Sequence, residues 1–200
     1  LPEMAWGNYR MIYGVRRGAE PLRYPLFSDS GGFNTGGFAS ALARHADRGT
    51  LIVLLNFPNN PTGYSPTEPE ANAICEAIAT AAENGCNILA VCDDAYFGLF
   101  YDDSCLKESM FARLAGIHER VLAVKLDGAT KEDFVWGLRV GFLTFGAKHE
   151  GSLYEALEKK VGGAIRGSIS NCSRASQAVL LKAMSGESYE REKQEKFDIL

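Results

Sequence analysis

The 200-residue sequence predicts an α/β domain, a mostly parallel sheet sandwiched by helices, on three observations. Short apolar runs alternate with helical patterns, as layered α/β proteins require. The runs are apolar throughout, which suits strands buried on both faces of a parallel sheet. Between the first two clear runs lies a stretch with a full set of helix start and stop signals.

In chain order, residues 22–27 form a weak candidate strand. Gly31 to Gly37 is glycine-dense, but its spacing fits neither the P-loop nor the dinucleotide fingerprint. It reads as a mobile turn before a helix over 38–46. Residues 51–55 are the first strong strand, followed by the clearest helix. Thr67 serves as N-cap with Glu70 three residues on, a capping box, and Pro69 is tolerated in the first turn. Ala71, Ile74, Cys75 and Ile78 then recur at helical spacing until Asn84-Gly85 ends the helix. Strands are expected at 88–92, 121–126 and 140–145, with helices around 109–115, 153–161 and 175–184. A charged helical pattern occupies 187–197. No repeat or linker interrupts the chain.

Composition narrows the partners. Apolar residues at 46% provide for a sizeable core, and a net charge of −4 argues against nucleic acid or an acidic membrane as partner. No apolar run approaches the ~20 residues of a membrane span, and no signal peptide opens the chain. The five cysteines, Cys75, Cys86, Cys92, Cys105 and Cys172, are widely spaced and read as reduced residues of a cytoplasmic protein. His45, His118 and His149 are scattered among polar neighbours, which offers neither a metal site nor a Ser/His/Asp triad. The sequence starts at Leu1 without an initiator Met and stops inside a helical pattern, so a fragment of a longer protein is expected.

Four separated stretches bear on chemistry. Asn56-Phe57-Pro58-Asn59-Asn60-Pro61-Thr62-Gly63 follows a strand, and Asp93-Asp94-Ala95-Tyr96-Phe97-Gly98 ends another. Thr130-Lys131 is followed eight residues later by Arg139-Val140-Gly141, and Trp6-Gly7-Asn8-Tyr9 stands near the start. In this order and separation they resemble the class I/II aminotransferases, fold-type-I enzymes dependent on pyridoxal phosphate, from Trp6 to about Met184. The resemblance implies the aspartate aminotransferase-like large domain. Residues 1–185 would be the central part of that cofactor-binding domain, and 186–200 the start of a helix leading to a small domain.

It also implies roles. Lys131 is similar to the lysine that holds the cofactor as an imine and then moves a proton at the substrate α-carbon. Asp93, three residues before Tyr96, matches the carboxylate paired with the pyridine nitrogen, and Asp94 is its neighbour. Tyr96 and Asn60 match the groups that hydrogen-bond the phenolic oxygen, and Trp6 an aromatic stacked on the ring. Tyr9 falls where some relatives support the aspartate. Arg139 and Thr130 match phosphate binders, whereas Gly128 stands where the family commonly has a serine. Arg166 falls where aspartate-type relatives bind a substrate's distal carboxylate in the neighbouring subunit.

The activity so implied is amino-group transfer between an amino acid and a 2-oxo acid by a homodimer. A lyase of the same fold, or a cofactor-binding effector domain of a transcription regulator, would use the same scaffold. The family's earlier phosphate-binding turn, its tyrosine reaching the partner's phosphate and its small-domain arginine have no match here. The fragment is therefore expected to turn over little on its own.

Overall fold

The computed structural model describes residues 1–149 and 151–200. Four strands, β1 (Thr50–Asn56), β2 (Asn87–Asp93), β3 (Val121–Gly128) and β4 (Gly141–Gly146), form one sheet in the order β1-β2-β3-β4. The first three run parallel and β4 is antiparallel to β3. Leu54 thus sits beside Val91 and Val91 beside Val124, while Asn56, Asp93 and Leu126 end up side by side.

Period-two alternation gives the sheet two unlike faces. Val53, Leu55, Ile88, Ala90, Cys92, Val121 and Ala123 point into the main core. Helices α1 (Thr35–His45), α2 (Glu68–Glu83) and α3 (Met110–Leu114) cover that face through Phe38, Leu42, Ile74, Ile78, Met110 and Leu114. On the other face Leu54 and Val91 meet Tyr9 in a smaller cluster, under the helical turn Arg10–Val15.

The capping box expected at Thr67 is present, and its acid does more than cap. Glu70 accepts from Thr67 N–H at 2.7 Å, from the Tyr64 hydroxyl at 2.7 Å and from Phe33 N–H at 2.6 Å, tying α2 to two preceding loops.

Four expectations need correction. Residues 22–27 do not join the sheet and make only isolated bridges, Tyr24 with Pro2 and Phe27 with Phe33. Pro25 in the middle of that run has no N–H to offer a ladder. Gly36 and Gly37 are not a mobile turn but the first turn of α1, where the Asn34 side chain accepts from Gly37 N–H at 2.8 Å. β4 is not buried on both faces, since it is the edge strand and leaves Phe142 51% and Leu143 42% exposed. The helix expected over 153–161 continues as α5 (Leu153–Ser168) through Gly162-Gly163, so Arg166 lies on a helix.

Lys131 sits in a one-turn helix, α4 (Ala129–Glu132), immediately after β3. Beyond α5, the chain forms α6 (Arg174–Met184) and α7 (Tyr189–Phe197). Tyr189 on α7 donates to Asp133 just beyond α4.

Candidate functional site

Parallel sheets bind ligands beyond the carboxyl ends of their strands. Here the ends of β2 and β3, with the segment leading into β4, enclose a cleft of about 300 Å³ lined by Asp93, Thr130, Lys131, Arg139, Gly128 and Gly141, among others. Four residues singled out from sequence, Asp93, Thr130, Lys131 and Arg139, are thereby brought to one place from two motifs far apart in the chain.

Asp93 is the last residue of β2 and only 9% exposed. The Tyr9 hydroxyl donates to its Oδ2 at 2.5 Å, and Ala95 N–H donates to its Oδ1 at 3.1 Å. Tyr9 is itself buried, and burial first, then the Asp93 charge, raises its pKa far above the usual phenol range. It therefore stays a proton donor and holds the carboxylate in one orientation.

The adjacent Asp94 has a different setting. It does not line the cleft, and its Oδ2 is buried without a hydrogen bond, 3.7 Å from Lys125 Nζ. Burial pushes its carboxyl up to about 6. Lys125 also meets Asp127 Oδ2 at 2.5 Å, and Asp127 Oδ1 accepts from Gly128 N–H at 2.8 Å. This Lys125–Asp127 brace beneath the cleft was missed from sequence. A lysine and an aspartate two apart in an otherwise apolar strand were the available signal, since alternation puts both on one face.

Lys131 places Nζ 4.6 Å from the centroid of the Tyr96 ring. Tyr96 itself lies in the turn after β2, outside the cleft lining. Asn60 also lies outside that lining. Its backbone N–H donates to Asn56 Oδ1 at 2.8 Å, while Asn56 Nδ2 donates to the Asp93 carbonyl at 2.9 Å. Asn56, a buried polar residue at the end of β1, therefore ties the Asn60 turn to the Asp93 strand. Asn59 shapes the same turn, accepting from the Thr62 hydroxyl at 2.8 Å.

Arg139 is exposed, and its backbone is left-handed at φ 54°. Its Nη1 makes one long contact, 3.4 Å to the Trp136 carbonyl, so the fork remains available to an anion. Trp6 is 40% exposed and packs edge-on against Tyr9, 5.4 Å between centroids, outside the cleft lining. Arg166 is on the exposed surface of α5, where Nη1 reaches Ser170 Oγ at 2.5 Å, away from the cleft.

At Gly128, the place of the expected serine, a Cβ would come within 3.0 Å of the Val140 carbonyl oxygen and 3.4 Å of Gly141 Cα. Glycine at this position follows from the close approach of β3 and β4.

Comparison with known proteins identifies the family. The family model for aminotransferase class I and II matches residues 1–198. The aspartate aminotransferase of Musicola paradisiaca is 30% identical over 143 residues, 72% of this chain and 32% of that protein. The cytoplasmic aspartate aminotransferase of Saccharomyces cerevisiae is 27% identical over 180 residues, 86% of this chain and 40% of that one. An aminotransferase structure from Anaerococcus prevotii superposes with a TM-score of 0.85 at 22% identity, covering 98% of this chain and 48% of that one. The yeast cytoplasmic enzyme's structure gives 0.78 at 18% identity, covering all of this chain and 48% of the other. The chain thus spans about a third to two-fifths of these curated relatives and just under half of the solved structures. Their shared fold is the aspartate aminotransferase type. The chain belongs to the class I and II aminotransferase family.

Proposed function

We propose that the cleft holds pyridoxal 5'-phosphate on Lys131 and that the whole protein transfers an amino group between an amino acid and a 2-oxo acid. The observation that carries this reading is Asp93, pinned by Tyr9 and facing the same cleft as Lys131, Thr130 and Arg139. The donor set suits the cofactor: a buried carboxylate for a ring nitrogen, an amine for an aldehyde, and a largely unoccupied guanidinium fork for a phosphate.

When bound, pyridoxal phosphate supplies an aldehyde for the amino group and a ring able to accept the electron pair of the substrate α-carbon. The protein's own groups do the rest. Asp93 keeps the ring nitrogen protonated, and Tyr9 prevents that carboxylate from turning away. Lys131 takes and returns the proton at the α-carbon. Arg139 and Thr130 bind the phosphate, Tyr96 and Asn60 reach the phenolic oxygen, and Trp6 covers a ring face. Of the last three, Tyr96 already stands beside Lys131, its ring centroid 4.6 Å from the amine. Arg166 would serve a distal carboxylate across a two-fold interface.

A homodimer belongs to the same proposal, supported by the apolar side chains that α6 and β4 leave in water, Val179 at 56%, Leu181 at 68% and Phe142 at 51%. Among the described residues no helix is long and apolar enough to cross a membrane. A matched relative is described as cytoplasmic, and we place this protein there too.

The test is direct. Mixing the chain with pyridoxal phosphate should give a visible absorbance band, and borohydride should fix the cofactor mass on the peptide carrying Lys131. Persistence of that band and adduct in Lys131→Ala would overturn the assignment.

A further inference from the structure

Helix α7 buries no residue fully, so no core anchors it. It is held instead by three side chains spaced four apart, Tyr189, Lys193 and Phe197, which share one helical face. The Tyr189 hydroxyl donates to Asp133 Oδ1. Lys193 Nζ stands 3.4 Å from Glu132 Oε1 and 3.5 Å from Asp133 Oδ1. The Phe197 ring stacks on Tyr101 at 5.3 Å with the planes 11° apart.

The partners lie close in sequence to cleft residues, Glu132 at the end of α4, Asp133 just after it, and Tyr101 in the segment after β2. Glu132 and Asp133 directly follow Lys131, and Tyr101 lies five residues beyond Tyr96. The segment after β2 also comes near α4, since a Cβ added at Gly98 would stand 3.9 Å from Glu132 Cγ. The grip is partly sheltered from water, with the Asp133 side chain 8% exposed, Glu132 26% and Lys193 27%. Such pairs hold geometry better than fully exposed ones. Burial, and then the bond to Asp133, push the Tyr189 hydroxyl up to about 12, so it remains a donor at neutral pH.

A second, separate feature lies at the same spot. Phe134, next to Asp133, has a left-handed backbone at φ 56°, a conformation that bulky residues keep only when their surroundings impose it. The surroundings here are the clasped Asp133 and the apolar wall of α6, Val179 and Leu180, that faces Phe134 across a groove.

We infer that α7 is a clasp on the turn that carries Lys131, with Tyr189 and Lys193 as positioning residues that act through Asp133 and Glu132. Displacing α7 would release α4 and let the Lys131 amine leave its place over Tyr96. The functional weight of this clasp rests on Lys131 being the cofactor lysine; the coupling between helix and turn does not.

The experiment uses the cofactor-free chain, with Tyr189→Phe and Lys193→Met singly and combined. Hydrogen exchange by mass spectrometry reads the amides of residues 129–135. Acylation by a soluble amine reagent reads Lys131 against Lys159, whose side chain is 82% exposed. The combined variant should exchange about tenfold faster over 129–135, and the Lys131 acylation rate should change about threefold or more. Amides of α2 and the Lys159 rate should stay unchanged, and Lys193→Arg should behave as the parent. If α7 amides lose protection while 129–135 and Lys131 stay within about twofold of the parent, the clasp is refuted. Equal loss of protection in α2 would refute it as well, by showing a general stabilising role; Tyr189→Phe, which removes a single hydroxyl, decides should the combined variant unfold. A chain that gave the expected exchange but took up no pyridoxal phosphate would sink the function proposed above and leave the clasp standing.

Discussion

Tyr9 and Asp93 lie 84 positions apart and share a hydrogen bond of 2.5 Å. A bond to a charged acceptor contributes roughly 1.5–3 kcal/mol. Tyr9→Phe should therefore weaken pyridoxal phosphate binding about tenfold or more, measured by absorbance titration, and unchanged affinity would remove Tyr9 from the site. Arg139 presents two opposed effects in one residue. Its left-handed backbone costs roughly 1–2 kcal/mol that glycine would not pay. Arg139→Gly should thus raise the urea midpoint while lowering affinity for the cofactor, two readings that part only if the guanidinium serves binding.

Asp94 gives a signed dependence on pH. Its folded pKa, about 6, lies above the ordinary carboxyl value of 3.8, so between these limits the folded chain keeps a proton that the unfolded chain has lost. That contribution to stability is fully present below about pH 4 and is lost as pH rises toward 6. Asp94→Asn should remove it, so the stability difference between variant and parent should grow in the variant's favour by about 1–3 kcal/mol from pH 4 to pH 7. Urea melts at both pH values would show this, and a constant difference would contradict the burial argument. At this scale sequence alone singles out Asp93 and Lys131 as candidates, and they line one cleft, because spacing within a motif survives in one dimension. It could not reveal that Asn56 ties the Asn60 turn to β2, since that depends on which strand lies beside β1.

At the scale of elements, α2 shows how local signals and tertiary bonds combine. Thr67, Glu70 and Asn84-Gly85 were readable as cap and stop because each acts within a few residues. The reach of Glu70 to Phe33 was not, because it spans 37 positions. Glu70→Ala removes the cap's acid and the shared partner of four donors, Phe33 N–H, Thr67 N–H and the Tyr64 and Thr67 hydroxyls, so a loss of roughly 2–3 kcal/mol is expected by urea denaturation. A change under about 0.5 kcal/mol would mean that water replaces the carboxylate without cost. The 22–27 run failed as a strand for a reason present in the sequence, Pro25, but an apolar count does not weigh it. β4 was found by its apolar run, and its exposure was hidden because edge position is a property of the assembled sheet.

For the molecule as a whole, the two sheet faces differ in how well they are covered. One carries nearly the entire core, while the other has a few residues around Tyr9. Ile52 on this second face stays 48% exposed. An assembly that adds apolar contacts is expected, and light scattering should give the mass of a dimer, with a monomer at micromolar concentration counting against the proposal. Layer order and parallel pairing were legible from alternation of runs and helices. The antiparallel turn of β4 was not, because the connection after Lys131 is short and carries its reversal in left-handed residues, Phe134 and Arg139, that side-chain type does not announce.

The paired glycines where β3 meets β4 restrict what this cleft could become. Gly128 and Gly141 face each other in register, and a Cβ on the second would stand 3.2 Å from the Asp127 carbonyl oxygen. Placing a hydroxyl at Gly128, toward the phosphate of the proposed cofactor, would press its Cβ to 3.0 Å from the Val140 carbonyl oxygen. β4 would have to give by a few tenths of an ångström, so a library that randomises Gly128 alone should favour glycine, and serine should gain from changes that let β4 shift.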